Sequence, residues 1–434
     1  MKKFTFTLSC ILATFAFGQQ VQVERCLSHK AIEYQDSLTP GFADIVNEQF
    51  EIAKNAPLKK TDEVYRVPVV FHIVYNNDDQ NLADSVIMRQ LETLNQDFMR
   101  QNPDTVNMRE DFDIVKGYPN IEFRLAQIDP DGNPTTGITR TETDLESFAD
   151  FSIISGSFDA LERIKSTSDG GIDPWDTERY LNIWIGNLDI LGFTALLGYA
   201  TPPVGLPNWP AGATAGLTDG VVVQYSVVGD NNPNEVDMGQ GPLDVKGRTL
   251  THEVGHYLGL RHIWGDGDCT QQDGIDDTPN ADDQSDFDCD PTKNTCEDDI
   301  FGIDLPDMIE NYMDYSAETC QNSFTRGQAN LMRAVLENQR IDLIEDNPAS
   351  VVETESIDVQ IYPNPTSNSF TIAVENDLID QYELISLSGK TVLRGSIESV
   401  NTEVNVNSLD NGMYVLKLSN SLTNEVVSRK VVKM

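Results

Sequence analysis

The sequence predicts an α+β domain followed by a small all-β domain, and three features of the chain predict it. Three of the five histidines lie between residues 252 and 262, at a spacing that fits a helix. Strand-like and helix-like segments alternate over residues 62–345, which is long enough to bury one substantial core. Beyond residue 357 the chain consists of short alternating polar and apolar runs separated by Asn, Asp, Ser and Gly.

The first eighteen residues have the pattern of a secretory signal peptide. Lys2 and Lys3 form a basic start, residues 4–17 are apolar, and Ala16 and Gly18 permit cleavage after Gly18. This run is too short for a transmembrane helix, and no other stretch approaches about 18 apolar residues. We therefore expect an exported protein without a transmembrane segment.

Residues 19–61 are predicted to be a pro-segment. They are polar and end in Lys59, Lys60 and Thr61, which form a plausible exposed site for activation cleavage.

The catalytic domain, residues 62–345, is predicted to begin with a strand and a helix. Tyr65–Tyr75 is rich in β-branched and aromatic residues and predicts the first strand, in which His72 packs and is not a ligand. Val86–Met99 has apolar residues at helical spacing and predicts a helix behind the sheet. Three further strands are predicted at Ile121–Ile128, Tyr180–Trp184 and Gly220–Val228.

The histidine-rich segment has the spacing of a zinc site. His252 and His256 lie on one face of a helix, because residues i and i+4 are neighbours there. Gly259 permits a turn in the backbone that brings His262 to the same metal ion. Three neutral imidazoles leave the fourth tetrahedral position to water, which is typical of a catalytic zinc. The alternative is a helix whose histidines pack or face solvent.

Glu253 follows the first of these histidines and is the expected general base. Zinc lowers the pKa of its water from about 16 to about 7, and the carboxylate takes the proton. The extended pattern His-Glu-x-x-His-x-x-Gly-x-x-His is far more specific than its first five positions alone. It predicts hydrolysis of peptide bonds.

A methionine turn is expected to accompany this pattern. Met313 is flanked by Tyr312 and Tyr315, and its thioether would pack beneath the histidines without ligating the metal. The phenol of Tyr315 would face the metal or the oxyanion of the reaction. The alternative is a core methionine in an ordinary turn.

The run from Thr249 to Met332 resembles the pappalysin (cytophagalysin) family of metzincin metalloproteases. The resemblance implies a zincin or metzincin fold with a mixed sheet, a backing helix and an active-site helix. It also implies a secreted zinc endopeptidase with structural calcium. The matching motifs are HEVGHYLGLRH at 252–262, DDTP at 276–279, NYMDYS at 311–316, Cys320, and FTRGQ at 324–328.

The chain is strongly acidic, with a formal net charge of −40. This excludes a phosphate-binding role and disfavours nucleic acid and anionic membranes as partners. Between Thr251 and Cys320 there are nineteen Asp and Glu against two Lys and Arg, which favours bound calcium, the alternative being a solvated acidic loop. The candidate calcium ligands are Asp266, Asp268, Asp273, Asp276, Asp277 and Thr278.

Four cysteines flank the acidic loop and are expected to form disulfides in an oxidising compartment. Four cysteines permit three pairings, among which the residues alone do not choose. The pappalysin resemblance implies Cys269–Cys296 with Cys289–Cys320.

Cys26 is left without a partner and lies upstream of the catalytic domain. Its thiolate could take the position of the water on the zinc, which would keep the enzyme latent until the pro-segment is cut. The alternatives are a reactive free thiol and an intermolecular disulfide.

Substrate preference is predicted from the residues before the last cysteine. Some members of the resembled family prefer Arg or Lys after the scissile bond, and an acidic residue just before that cysteine lines the pocket. This chain has Thr319 there and Glu318 one step earlier. We therefore expect only a weak basic preference.

After a polar linker at 346–356, residues 357–434 predict a small Ig-like β-sandwich. Expected strands begin near Val359 and follow at Ser369–Val374, Gln381–Ser386, Thr402–Val406, Met413–Leu418 and Val426–Val432. The region resembles the C-terminal sorting domain of type IX secretion cargo, and the alternative is a carbohydrate-binding or adhesive module. The motifs behind the resemblance are Tyr362–Pro365, Leu387–Lys390, Gly412–Tyr414 and the basic end at Arg429–Met434.

The sequence thus predicts a latent, monomeric zinc endopeptidase that acts on proteins or peptides. It would pass through the periplasm and the outer-membrane type IX machinery to the cell surface or the medium. One alternative is an inactive metal-binding adhesin, against which the intact Glu253 argues. Another is a hydrolase of a non-peptide amide, against which the pro-segment with its thiol argues.

Overall fold

The computed structural model describes residues 24–57, 63–203, 216–236, 242–344, 359–374, 380–386, 390–397, 399, 401–419 and 426–434. The chain folds as two compact units, Met1–Ser350 and Val351–Met434. The predicted signal peptide, the cleavage site at Lys59–Thr61 and the linker at 346–356 lie outside the described residues. No helix in the described part of the chain combines the length and the apolar character needed to cross a bilayer.

The described helices and strands are numbered in chain order. The helices are α1 Ser28–Leu38, α2 Phe42–Asn55, α3 Asp84–Phe98, α4 Asp159–Glu162, α5 Arg248–Tyr257 and α6 Arg326–Asn338. The strands of the first unit are β1 Glu24–Cys26, β2 Tyr65–Tyr75, β3 Ile121–Leu125, β4 Ile138–Glu142, β5 Leu181–Gly186, β6 Asp189–Ile190, β7 Phe193–Thr194, β8 Leu196–Ala200 and β9 Val221–Gln224. The strands of the second unit are β10 Val359–Tyr362, β11 Ser369–Val374, β12 Gln381–Ser386, β13 Thr391–Ser396, β14 Asn401–Asn405, β15 Gly412–Ser419 and β16 Val426–Lys433.

The first unit is built on a mixed seven-stranded sheet in the order β1-β8-β9-β5-β2-β3, with β4 also paired to β2. Strands β2, β3, β4, β5 and β9 are mutually parallel, whereas β8 runs antiparallel to β9. Strand β1, in the predicted pro-segment, pairs in parallel with β8, which would be the edge strand of the sheet without it. The predicted pro-segment therefore adds the outermost strand to this sheet.

Both faces of this sheet are buried, which explains why β2 is an almost continuous apolar run. Val67, Val69 and Phe71 point into the core that the sheet shares with helices α3, α5 and α6. Val74 and Trp184 belong to a second core on the opposite side.

Most predicted elements of the catalytic domain are present, with changed ends. β2 has the predicted bounds, and α3 covers the predicted backing helix but begins at Asp84. β3 ends at Leu125, and β9 is only four residues long because the chain turns into a short 3-10 helix at Tyr225–Val227. The edge strand β8 was not predicted, and Gly198 at its centre weakens the strand pattern.

The pro-segment is more structured than its polar composition predicts. It forms α1 and α2 after β1, and α2 buries Phe42, Val46 and Phe50 at helical spacing. The same spacing is visible in the sequence and would have predicted this helix.

The second unit is all-β and contains two antiparallel sheets, β10-β11-β14 and β13-β12-β15-β16. β11 and β12 have the predicted bounds, while β13 was not predicted. Side chains from both sheets share one core, which includes Phe370 and Ile372 of the first sheet and Leu384 and Leu416 of the second.

Candidate active site

Helix α5 carries the first two histidines of the motif and is buried over its whole length. His252 and His256 lie on the same face, and the helix ends one residue after His256. Gly259 follows with φ of +93°, a conformation that side-chain-bearing residues rarely adopt. The chain therefore turns back there and brings His262 beside the other two rings, as predicted.

The three histidines converge through their Nε2 atoms. Nε2 of His256 lies 3.0 Å from Nε2 of His252 and 3.1 Å from Nε2 of His262. Each Nδ1 has its own acceptor outside the cluster. His252 donates to the carbonyl of Tyr312 over 2.7 Å, His256 to the carbonyl of Leu260 over 2.8 Å, and His262 to Asp266 Oδ1 over 2.5 Å.

This arrangement fits a metal ion. An imidazole that donates from Nδ1 presents a lone pair at Nε2, and three such lone pairs about 3 Å apart repel one another unless a cation lies between them. Burial lowers the pKa of His256 to about 3, and it lowers the pKa of His252 well below the usual range. Both rings are therefore in the neutral form that binds metal.

Glu253 lies directly beside the cluster and is fully buried. Its Oε2 accepts hydrogen bonds from Ser28 Oγ over 3.0 Å and from Cys26 Sγ over 3.3 Å, whereas its Oε1 has no partner. Burial raises the pKa of this carboxyl to about 8. A Cβ at Gly198 of β8 would lie 2.9 Å from Cγ of Glu253, so glycine at this position makes room for the carboxylate.

Met313 is buried against the active-site helix, where the sequence predicts the methionine turn. A Cβ on Gly255 would lie only 2.5 Å from its Sδ, so the sulfur sits against the backbone one residue before His256. The neighbouring Tyr312 supplies the carbonyl that orients His252.

Tyr315, two residues after Met313, also lies beside the histidines. Its ring lies 5.0 Å from that of His262, and its hydroxyl donates to the carbonyl of Cys26 over 3.3 Å. Trp264, which sequence reasoning did not select, stacks on His262 with ring centroids 4.3 Å apart.

Cys26, which belongs to the predicted pro-segment, lies beside the three histidines. Its sulfur and one ring nitrogen of each histidine all lie within 4.8 Å of one another. Among the described residues, this is the only group of three or more His, Cys, Asp or Glu side chains close enough to hold one ion. The sulfur therefore lies close enough to the three histidines to share one ion with them.

A cavity of about 140 Å³ lies next to the site. Arg25 of the predicted pro-segment lines it, together with Glu318 and Thr319. Its guanidinium donates to the carbonyls of Tyr315 and Ser316, the latter over 2.7 Å. An arginine side chain of the predicted pro-segment thus forms part of the wall of this cavity.

Glu318 lines this cavity, and the hydrogen bonds of its carboxylate go to the start of helix α5. Its Oε2 accepts from the backbone N–H groups of Lys246 and Arg248, and its Oε1 accepts from both N and Oγ1 of Thr249. A carboxylate has about four acceptor positions, and all four are used. Thr319 is exposed at the rim of the cavity.

The six candidate calcium ligands do not converge on one site. Asp273, Asp277 and Thr278 are buried close together, and Oδ2 of Asp273 has no partner. Asp266 instead orients His262, Asp268 bonds to Thr270 next to it in the chain, and the exposed Asp276 pairs with Lys54. A dense run of acids in the sequence does not reveal which of these side chains turn inward.

Two interleaved disulfides hold the acidic loop, with the pairing that the resemblance implies. They are Cys269–Cys296 and Cys289–Cys320, with Cα–Cα distances of 5.6 and 6.1 Å. The second disulfide ends seven residues after Met313. Cys26 is the only free cysteine in the described part of the chain.

Several contacts of the site were not predicted. Ser28 bonds to Glu253, and His29 lies 3.3 Å from Asp266 Oδ2. Asp97 of α3 is buried between Tyr312 and Thr251 and accepts from both hydroxyls. The positions of Ser28 and His29 beside Cys26 were the one available signal, whereas Asp97 is too distant in sequence to be recognised.

Comparison with known proteins finds a matching family for a part of each unit. Residues 166–337 match the family described as pregnancy-associated plasma protein-A, a peptidase family. Residues 360–434 match the secretion system C-terminal sorting domain.

Similar structures and sequences cover the first unit. Mature mirolysin of Tannerella forsythia in complex with a cleaved peptide is 39% identical, with a TM-score of 0.55, over 65% of this chain and 97% of that one. A mutant of Tannerella forsythia promirolysin is 36% identical, with a TM-score of 0.61, over 74% of this chain and 97% of that one. An extracellular metalloprotease of Arthroderma gypseum is 25% identical over 296 residues, which are 67% of this chain and 79% of the relative.

Proposed function

Since this chain belongs to the pappalysin family of metzincin metalloproteases, we propose that it is a zinc endopeptidase synthesised as a latent zymogen. The chain carries a type IX secretion sorting domain at residues 360–434 and is an exported protein. The observation that carries the proposal is the convergence of three histidine Nε2 atoms beside the unpartnered Oε1 of Glu253.

His252, His256 and His262 would hold the zinc through Nε2. The carbonyls of Tyr312 and Leu260 and the carboxylate of Asp266 keep the rings in the required tautomer. When bound, zinc supplies Lewis-acid chemistry that makes water acidic near neutral pH and polarises a carbonyl group.

Glu253 would be the general base. Its Oε1 is free, and its Oε2 becomes free once Ser28 and Cys26 leave with the pro-segment. The carboxylate can then take a proton from the attacking water and deliver it to the leaving amine.

Tyr315 would stabilise the developing oxyanion. Its hydroxyl donates to the carbonyl of Cys26, a peptide carbonyl placed beside the metal site. The same donor can bond to a substrate carbonyl after the pro-segment is removed, when it becomes most useful as negative charge develops on the oxygen.

Latency is supported by the contacts of residues 25–29. Cys26 reaches the metal position, Ser28 bonds to Glu253, and β1 occupies the sheet edge beside the cleft. Helix α2 adds contacts farther away, since Phe50 packs on Arg261 with the guanidinium carbon 3.8 Å from the ring centroid. The pro-segment therefore covers the metal position, the base and the strand at once.

A preference for basic side chains is supported by the surroundings of Arg25. Burial lowers the pKa of its guanidinium, and the charge of Glu318, which lines the same cavity, opposes this shift. The carbonyls of Tyr315 and Ser316 accept hydrogen bonds from its guanidinium, and the ring of Phe287 lies 4.4 Å from its central carbon. We propose that Thr319 at the rim of the pocket contributes no charge and that the preference is weak.

Calcium is proposed at Asp273, Asp277 and Thr278. Calcium takes six to eight oxygens, and the unpartnered buried Oδ2 of Asp273 beside a second carboxylate supplies part of such a set. For the second unit, the shared core between two antiparallel sheets supports the proposal of an Ig-like sandwich.

The test uses the exported chain and its Glu253→Ala variant with a denatured protein as substrate, each with and without a zinc chelator. Mass spectrometry follows the N-terminus of the chain in the same samples. We expect that only the unaltered chain cleaves substrate, that chelator stops it, and that activity rises as the segment before about Thr61 is lost. If both proteins bind zinc but remain inert after this loss, the metal is structural and an adhesin is the better account.

A further inference from the structure

The first turn of α5 lacks a side-chain cap from its own sequence. The residue before the helix is Gly247, which has φ of +79° and no side chain to accept hydrogen bonds. A Cβ at Gly247 would lie 2.8 Å from Gln90 Oε1, so a capping residue does not fit there. The free N–H groups at the start of a helix nevertheless need acceptors when they are buried.

Glu318 supplies these acceptors from seventy residues away. Its carboxylate takes hydrogen bonds from the N–H of Lys246 over 2.6 Å, of Arg248 over 3.1 Å and of Thr249 over 2.8 Å. The Thr249 hydroxyl donates over a further 2.8 Å. A negative charge at a helix N-terminus is also favoured by the helix dipole.

The backbone of Glu318 makes a further bond to the same helix. Arg248 Nη1 donates to the Glu318 carbonyl over 2.7 Å, while the Arg248 guanidinium also pairs with Asp104 over 2.7 Å. Both the side chain and the main chain of Glu318 are thus fixed to the first turn of the helix.

The contact between Glu318 and helix α5 links two segments that are distant in the sequence. Glu318 lies three residues after Tyr315 and five after Met313, whereas the helix turn that it caps begins four residues before His252. The carboxylate therefore joins the two segments between which the histidine cluster, Glu253 and the tyrosine are assembled.

We propose that Glu318 is a positioning residue for the reaction, which sets the active-site helix against the segment that carries Met313 and Tyr315. This inference rests on the proposed function, and it differs from a specificity role because the carboxylate has no acceptor position left for a substrate. A helix of ten residues depends on such fixed ends, since short helices are marginal alone.

The test compares the Glu318→Gln variant with Glu310→Gln in the full chain after release of the pro-segment. Glu310 is a matched control, because it is also buried and its carboxylate accepts three hydrogen bonds, all from Arg109 and none from α5. Glutamine keeps the shape but turns an NH2 group towards the N–H donors of the helix.

For Glu318→Gln we expect kcat to fall about tenfold or more with KM changed less than about twofold, as charged hydrogen bonds of this kind are strong. Zinc transfer to a chromogenic chelator should be faster by a similar factor. The ratio of kcat/KM for peptides with Arg or Leu after the scissile bond should stay constant. Glu310→Gln should lower the melting temperature and leave these quantities unchanged.

Two results would overturn the proposal. One is that Glu318→Gln is less stable but keeps its kcat and its rate of zinc loss, which would show a purely structural role. The other is that only the ratio of kcat/KM for the Arg and Leu peptides changes, which would show a specificity role.

Amide hydrogen exchange separates this inference from the proposed function. Exchange at Lys246, Arg248 and Thr249 should accelerate in Glu318→Gln whether or not the chain is a protease. Unchanged exchange there also refutes the role of Glu318. An unaltered chain without zinc or activity refutes the proposed function instead.

Discussion

Ser28 and Glu253 are joined by a hydrogen bond of 3.0 Å between a pro-segment hydroxyl and the carboxylate of the active-site helix. The same hydroxyl accepts the backbone N–H of Ala200 on β8 over 2.8 Å. One serine of the predicted pro-segment thus contacts both Glu253 and strand β8, so the thiol of Cys26 is not the only group of this segment that contacts the site.

Removing Cys26 alone should therefore leave much of the latency intact. We expect uncleaved Cys26→Ala to gain activity, and Cys26→Ala/Ser28→Ala to gain about tenfold more, since a hydrogen bond to a carboxylate is lost. The measurement is peptide turnover with the N-terminus verified by mass spectrometry. Cys26→Ala/Ser37→Ala is the control, because Ser37 lies on α1 and bonds only to Tyr34. Full activity of Cys26→Ala alone would contradict the expectation.

Gly255→Ala should damage the packing under the metal site. The new methyl group would lie 2.5 Å from Met313 Sδ, and overpacking of a core costs about 1–3 kcal/mol. We expect lower stability in urea and faster zinc loss. Gly255→Ala/Met313→Ala should recover part of the loss. Gly412→Ala is the control, because a Cβ there meets no atom within 4 Å. Equal behaviour of Gly255→Ala and Gly412→Ala would refute the contact.

His72 should make the catalytic unit sensitive to acid. It is fully buried between Thr139 Oγ1 at 2.8 Å and Asn182 Oδ1 at 3.0 Å, and burial lowers its pKa to about 4. In the unfolded chain the imidazole takes up a proton at about pH 6.5, whereas in the folded chain it does so only near pH 4. The contribution of the neutral His72 to the free energy of unfolding is therefore complete above about pH 6.5 and is lost as the pH falls towards 4.

Between pH 7 and pH 4.5, the free energy of unfolding should fall by about 2 kcal/mol more for the unaltered chain than for His72→Gln. Urea unfolding in the presence of chelator measures it, with tryptophan fluorescence as the probe, because all four tryptophans precede residue 265. Identical pH profiles for both chains would show that His72 does not carry this sensitivity.

Asp273→Asn should remove the stabilisation by calcium. The unpartnered Oδ2 of Asp273 beside Asp277 is the basis of the proposed site. We expect millimolar calcium to raise the melting temperature of the unaltered chain but not of the variant. Asp268→Asn is the control, since that side chain bonds only to the neighbouring Thr270. A calcium-dependent rise that survives in Asp273→Asn would place the ion elsewhere.

The sequence predicted the parts of the site that depend on local spacing. His252, His256 and the turn at Gly259 follow from helix geometry, and the pairing of Cys269 with Cys296 followed only from the resemblance. Helix α6 could also have been recognised, because Thr325 and Gln328 form a capping box within the motif FTRGQ.

Contacts between distant segments could not be predicted. The resemblance assigned Glu318 to a pocket, which it lines, but nothing in the sequence indicated that its carboxylate also binds a helix that begins seventy residues earlier. Asp266 was grouped with other acids, although its partner is a histidine four residues away. One sequence does not show which of several polar residues turns towards a buried donor.

The pairing of β1 with β8 has a consequence for export. With β1 in place, Leu196–Ala200 is an inner strand, and the main-chain groups of Leu196 and Gly198 are shielded by Glu24 and Cys26. An uncovered strand of this kind is a template for association between molecules. On the proposed latency, the short β1 would therefore also shield this strand from other copies of the chain during export. Its removal would expose a strand edge to which an extended peptide can add.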